Sequence, residues 1–258
     1  MDIFYQNILK GNIKEVKKFL RYGFDINTVF DLHKETPLML AVNERDYYLV
    51  EFLLEKGANL NARDWDGQTA LHKSSWLNGD LDILELLIEY GANVDAIDKH
   101  RRTPLMIAAG VNRTDIVKFL IGHGANVNAR NDNGSTALII AATHDGNLKT
   151  VKYLVNWANA DITIHDNDGE TALMIATQKE LDDIAKFMMN SLYRYVARKV
   201  GRRSIAARKT LQTIGNKERN NGTAPLPELP LDIAEKIGRM ALNTAFGSSS
   251  DIIYLRRF

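Results

Sequence analysis

Apolar and polar positions along this chain recur in a common block. Thr103–Ala129 reads TPLMIAAGVNRTDIVKFLIGHGANVNA, Thr69–Ala96 reads TALHKSSWLNGDLDILELLIEYGANVDA, and Thr36–Ala62 reads TPLMLAVNERDYYLVEFLLEKGANLNA. Each block opens on Thr and passes through a short apolar run, such as Leu105–Ala109, rich in small residues that let neighbours stack closely. After a polar break it enters a second pattern, such as Ile116, Val117, Phe119 and Leu120, with the spacing of an amphipathic helix. Two helices per block are predicted. Thr suits the N-cap of the first, and Pro37 and Pro104 suit its first turn, where Ala70, Ala137 and Ala172 stand in other blocks. Gly57, Gly91 and Gly124 suit the left-handed C-cap of the second. The matching position of the fifth unit holds Asn159, and Asn is the usual second choice for that conformation.

The anchoring residues Thr36, Thr69, Thr103, Thr136 and Thr171 are separated by 33, 34, 33 and 35 positions. A fixed period of this size predicts a stacked array in which each unit packs on its neighbours, not one globular core. The units resemble ankyrin repeats, whose pattern is D-x-x-G-x-T-P-L-H-x-A-A, a second helix, then G-A-D/N-V-N. The resemblance covers residues 1–190 in six units. The first unit, NILKGNIKEVKKFLRYGFDIN, lacks the Thr-Pro start and is expected to be the N-terminal cap; DGETALMIATQKELDDIAKFMMN is expected to be the C-terminal cap. The resemblance implies an all-α ankyrin-repeat solenoid of stacked helix-turn-helix units with β-hairpin-like loops. In an L-shaped stack of this kind the hairpin tips form one edge, the short helices a concave face and the longer helices the back. Lys34 and Arg101 depart from the pattern, because Gly67, Gly134 and Gly169 hold the same hairpin position elsewhere. If that position has positive φ, a side chain there costs about 0.5–2 kcal/mol. Extra residues fall in the third unit, within WLNGD, and in the fifth, across THDGN and VNWAN. Insertions in solenoids usually map to loops on one face, often the binding face.

Composition narrows the function. Hydrophobic residues make up 45% and charged residues 25% of the 258, enough apolar surface for a buried core and too little net charge for disorder throughout. With no Cys, disulfide scaffolds and thiolate zinc sites are excluded. The start, MDIFYQNILKGN, has no signal-peptide pattern, and no run approaches the ~20 apolar residues that span a bilayer. An intracellular, cytoplasmic location is expected, with the nucleus as a second compartment. Residues 1–190 hold 20 Lys+Arg against 27 Asp+Glu, whereas residues 191–221 hold 9 against 1, so a basic segment follows an acidic array.

Catalytic signatures are absent from the sequence. His33, His72, His100, His123, His144 and His165 fall in different units, and no two form an H-x-x-x-H or H-E-x-x-H pair. No phosphate-binding glycine loop and no G-x-S-x-G is present. The sequence reading is therefore a non-enzymatic protein with no cofactor and no metal site. His72 holds the T-x-L-H position, where the resemblance implies a hydrogen bond between loops. Asn112-Arg113-Thr114, Asn133-Gly134-Ser135 and Asn221-Gly222-Thr223 are glycosylation sequons, expected to be chance matches because no secretory route is expected.

Repeat stacks bind through side chains that do not stack, at the hairpin tips and on the concave face, at the concave end of the short helix. The tips read Lys34-Glu35, Asp64-Trp65-Asp66, Lys99-His100-Arg101, Asn131-Asp132-Asn133 and Asn167-Asp168. Partner-binding candidates are Trp65, Trp76, Lys99, His100 and Arg101, since Trp is enriched at interface hot spots. For Trp65, packing across the neighbouring hairpin is an equal alternative. Trp157, late in a long helix, is expected in the core. The expected partner is an unidentified protein, and the expected state is monomeric.

Beyond the array, residues 191–222 form a basic segment with a linker. Leu192, Val196 and Val200 keep helical spacing among Arg194, Arg198, Lys199, Arg202 and Arg203, with an interruption near Gly201. A docked helix, a nucleic-acid or nuclear-localisation patch and a membrane-surface helix are the three readings of it. Residues 223–258 are expected to form short C-terminal helices. Within them Leu229-Pro230 followed by Ile233 and Ile237 resembles the opening of an F-box, as in the shortened F-box-like (PRANC-type) tails that follow ankyrin repeats in some viral and intracellular-bacterial proteins. That resemblance implies a substrate adaptor that docks on the Skp1 adaptor of a ubiquitin ligase. A small helical pair closing the chain is the alternative.

Overall fold

The computed structural model describes residues 2–30, 33–76 and 79–200. Those residues form helix pairs: α1 (Asp2–Leu9) with α2 (Ile13–Arg21), α3 (Pro37–Asn43) with α4 (Tyr47–Glu55), and α5 (Ala70–Ser74) with α6 (Leu81–Glu89). Then follow α7 (Pro104–Gly110) with α8 (Thr114–Gly122), α9 (Ala137–Ala141) with α10 (Leu148–Asn156), and α11 (Ala172–Gln178) with α12 (Asp182–Val200). The described residues hold no named strand, only isolated bridges at Phe30–Glu35 and His165–Thr171. No described helix is long and apolar enough to cross a membrane. The described residues up to Met188 form one compact unit, and a second begins at Met189.

The predicted caps form. The hydroxyls of Thr36, Thr103, Thr136 and Thr171 accept from the backbone N–H groups of Met39, Met106, Ile139 and Met174. Each bond satisfies one of the orphan donors of a helix N-terminus. At the other end of the pair, Gly57, Gly91 and Gly124 take φ of 82°, 90° and 87°, and Asn159 follows at 54°. Short helices pack on short ones (α3 on α5, α5 on α7, α7 on α9, α9 on α11), and longer ones meet as α4 with α6 and α8 with α10. Rows of equivalent side chains fill the joints: Leu38, Leu71, Leu105 and Leu138 from short helices, and Leu53, Leu87, Leu120 and Leu154 from long ones, all buried. The first unit closes its end differently. Phe4 is ringed by Phe19, Phe24 and Phe30 at centroid distances of 5.3, 5.2 and 5.8 Å, so bulky aromatics replace the small stacking residues.

Trp157 is not in the core: it is 77% exposed. Its place at the end of the helix explains this. α10 stops at Asn156, and Trp157 becomes its C-cap residue, the place taken in other units by Tyr22 and Tyr90, which are exposed as well. The basic segment also begins differently from the expectation. α12 runs unbroken from Asp182 to Val200, so Arg194, Arg198 and Lys199 stand on the continuation of the last unit's second helix. No Gly or Pro interrupts that stretch before Gly201. Arg202, Arg203, Leu229, Pro230, Ile233 and Ile237, with the tail that resembles an F-box, lie outside the described residues.

The hairpin position of Lys34 and Arg101 does have positive φ, 57° at each, against 74° at Gly67 and Gly134. Gly67 and Gly134 are held there for a second reason. A Cβ on Gly67 would lie 2.9 Å from Arg63 Nη2 and from the backbone nitrogen of Lys99. A Cβ on Gly134 would meet the Arg130 guanidinium and Asn167 in the same way. In the Arg101 hairpin the residue at the arginine's place is Ile97, so the guanidinium that Arg63 and Arg130 lay against the glycine has no counterpart there. Arg101→Gly is therefore expected to be neutral or to raise unfolding free energy by up to about 1 kcal/mol, as left-handed strain is relieved against greater unfolded-state freedom. Urea denaturation measures it. A clear loss would show that the Arg101 side chain holds this hairpin.

Candidate functional site

The hairpin tips are built by short polar side chains turned inward. Asp64 Oδ1 accepts from the N–H groups of Asp66 and Gln68; Asp98 Oδ1 from His100 and Arg102; Asp166 Oδ1 from Asp168 and Glu170. Asn131 Oδ1 accepts from Ser135. Backbone bonds then zip each tip to the next: Trp65 N–H to His33 C=O at 2.7 Å, Lys99 to Asp66 at 2.9 Å, Asp132 to His100 at 3.0 Å and Asn167 to Asn133 at 2.9 Å. Arg63 and Arg130 reinforce the ladder. Their Nε atoms donate to Gly67 and Gly134 carbonyls, and their Nη2 atoms to Ile97 and His165 carbonyls one unit on.

This scaffolding sorts the residues that the sequence singled out. Asp64 and Glu35 are not free tip groups. Lys73 bridges them, with its Nζ at 2.7 Å from Asp64 and 3.0 Å from Glu35. Burial lowers the ammonium pKa, but the bonds to Asp64 and Glu35 outweigh it and the net shift is upward. Trp65 and Lys99 are brought together: the Lys99 ammonium sits 3.8 Å from the Trp65 ring centroid, across the joint between two hairpins. Trp65 is still 56% exposed, so the contact covers only part of it. His100 and Arg101 are exposed beside Lys99, and Arg101 Nε reaches Asp132 at 4.0 Å, the limit of an ion pair. Trp76 lies past the end of α5, 39% exposed, and its Nε1 donates to Gln68 Oε1 at 3.4 Å. Gln68 belongs to the hairpin that carries Trp65, so one loop supports both tryptophans.

His72 is buried and structural. The Thr69 N–H donates to its Nδ1 at 3.2 Å, so Nδ1 accepts and Nε2 carries the proton, which it donates to the Arg102 carbonyl at 3.0 Å. Burial pulls its pKa below 6.5, which keeps the ring neutral. The bond to Arg102 is the loop-to-loop bond that the sequence reading expected. In the Asn112 sequon the amide of the exposed Asn112 donates to the Gly146 carbonyl, and the buried Thr114 hydroxyl is 2.7 Å from that of Thr150.

The loop-closing acids were missed in the sequence, although a signal was present. Asp64, Asp98, Asn131 and Asp166 recur with the period of the Thr anchors. The turn between the two helices was missed too. Gly11 and Gly146 take positive φ there, but so do Arg45, Asn112 and Glu180, at 56°, 59° and 56°. Residue type marks only part of that series.

Comparison with known proteins agrees with this geometry. Residues 63–131 and 123–199 match ankyrin repeats (3 copies), and residues 33–65 match a further ankyrin repeat. The chain belongs to the ankyrin-repeat family, whose repeats imply protein–protein interaction. It is 47% identical over 62 residues to phosphocholine transferase AnkX of Legionella pneumophila, covering 24% of this chain and 6% of that protein. It is 35% identical over 74 residues to the Arf-GAP with coiled-coil, ANK repeat and PH domain-containing protein 2 of Gallus gallus, covering 28% and 10%. To the B-cell lymphoma 3 protein homolog of Mus musculus it is 35% identical over 98 residues, covering 38% and 22%. The chain thus spans less than a quarter of the length of each of these relatives.

Proposed function

We propose that this chain is a non-catalytic scaffold that binds a protein partner through the hairpin tips of its middle units and the adjoining end of α5. One observation carries the reading: the tips are held by backbone and buried Asp bonds, which leaves Trp65, Lys99, His100 and Arg101 exposed with only the Trp65–Lys99 contact and the long Arg101–Asp132 pair between them and solvent. A rigid ladder that presents an exposed tryptophan loses little entropy on binding, and tryptophan and arginine dominate interface energetics. Trp76 extends the surface from the tip toward the short helix. The buried His72, committed to two structural bonds, supports the non-catalytic part of the reading.

Trp76→Ala is expected to weaken a captured partner by about 2 kcal/mol, roughly thirtyfold. The melting temperature should hardly move, because the side chain is part-exposed and makes one long hydrogen bond. Affinity purification with the full chain and the variant, followed by titration of whatever protein is lost, measures this. Intact binding together with a large drop in melting temperature would make Trp76 a packing residue and remove it from the surface.

A further inference from the structure

On the longer helices of the second and third units, away from the hairpins, lies a groove with a different chemistry. Tyr48, at the start of α4, is 72% exposed. Tyr47 packs edge-on against it, with centroids 5.8 Å apart and an interplanar angle of 88°. Both tyrosines line a cleft of about 460 Å³ with Asp82, Glu85, Leu86 and Glu89 of α6. No Lys or Arg lines it, and among the described residues none of its carboxylates forms an ion pair. The Tyr47 hydroxyl registers the surrounding charge: partial burial and then Glu51, Glu89 and Asp82 push its pKa up.

We infer that this groove docks a basic linear segment of a partner protein, with an arginine or lysine side chain laid against Tyr48 and paired with Glu85 and Glu89. The ring face attracts a cation through its quadrupole, and its flat surface covers the methylene stem. The carboxylates accept charge-assisted hydrogen bonds from the cationic head. Charge complementarity selects this occupant over the others. A purely apolar helix would strip water from the carboxylates without pairing them, and the phosphates of a nucleic acid would be repelled. A second copy of the chain meeting this face about a two-fold axis would bring like charge against like. The groove shares no residue with the hairpin-tip surface, so the two can fail separately.

The test uses the full chain and a fluorescein-labelled peptide of alternating arginine and alanine, titrated by fluorescence anisotropy. Saturable binding is expected. Tyr48→Ala should weaken it about fivefold, and Tyr48→Phe should keep it, since the ring face and not the hydroxyl makes the contact. Glu85→Gln with Glu89→Gln should also weaken it about fivefold. Trp65→Ala should leave it unchanged, and so should Asp182→Asn with Asp183→Asn, which removes as much charge from an exposed helix start. Equal loss in the Asp182/Asp183 variant would mean diffuse attraction to an acidic surface and overturn the assignment. Wild-type affinity in Tyr48→Ala, or no binding to the full chain, would overturn it as well. Self-association of the free chain that Tyr48→Ala abolishes would give the groove to a second copy and end the proposal.

Discussion

Asp98→Ala is expected to lower the unfolding free energy by about 3 kcal/mol and to disorganise the Lys99–His100–Arg101 tip together with it. The side chain is buried and serves three donors: the N–H groups of His100 and Arg102 through Oδ1, at 2.9 and 2.8 Å, and Arg102 Nε through Oδ2 at 2.7 Å. Truncation leaves two backbone donors short of their partner at about 1–3 kcal/mol each, partly recovered by water at the loop surface. The Arg102 pair is part-exposed and adds little by itself. Asp98→Asn keeps the Oδ1 acceptor and should recover most of the loss. Urea denaturation of the two variants, with partner titration beside it, separates the contributions. If Asp98→Ala unfolds like wild type, the loop is held by its zipper to the neighbouring hairpins and the internal carboxylate is dispensable.

His72→Ala is expected to cost about 3 kcal/mol, through the cavity it leaves and the Arg102 carbonyl it strands. The wild-type ring should also make stability depend on pH. Its pKa in the folded chain is below the ordinary 6.5, because burial disfavours the cation. Between the two values the unfolded chain binds the proton and the folded chain does not, so stability rises with pH in that window. The contribution is therefore complete above about pH 6.5 and is lost as the pH falls through 6.5 toward the folded value. Protonation would also take away the lone pair of Nδ1 that accepts from Thr69. Unfolding free energies at a series of pH values below 7 should fall more steeply in wild type than in His72→Ala. Parallel profiles would show that the ring titrates normally and that the buried tautomer described here does not persist.

Both residues bear on what the hairpins present. Asp98 shapes the tip from within, and His72 pins that tip's Arg102 to the preceding unit. Loss of either should weaken partner binding even though neither side chain is exposed. Trp76→Ala, by contrast with these two, should separate binding from stability.

The sequence by itself determined the repeat, its helices and their ends. A Thr that can accept a bond, a Gly or Asn that tolerates positive φ, and apolar residues at helical spacing are local properties, and local rules read them correctly at Thr36, Gly57 and Asn159. The reading of His72 also held, because its position in the repeat carries its partner along. Tertiary structure decided what one unit does to the next. Lys73 became a bridge between Glu35 and Asp64 because a neighbouring hairpin places Glu35 beside it, 38 residues away in sequence. Trp157 stands at a helix end that the stack leaves uncovered, and Lys99 came to rest on Trp65 across a joint. The acids of α6 gained meaning only when α4 set two tyrosines beside them. Sequence spacing reports what lies on the same helix face; which faces meet, and which polar groups they leave without partners, is set by stacking, because each side chain is completed or exposed by a unit some 33 residues away.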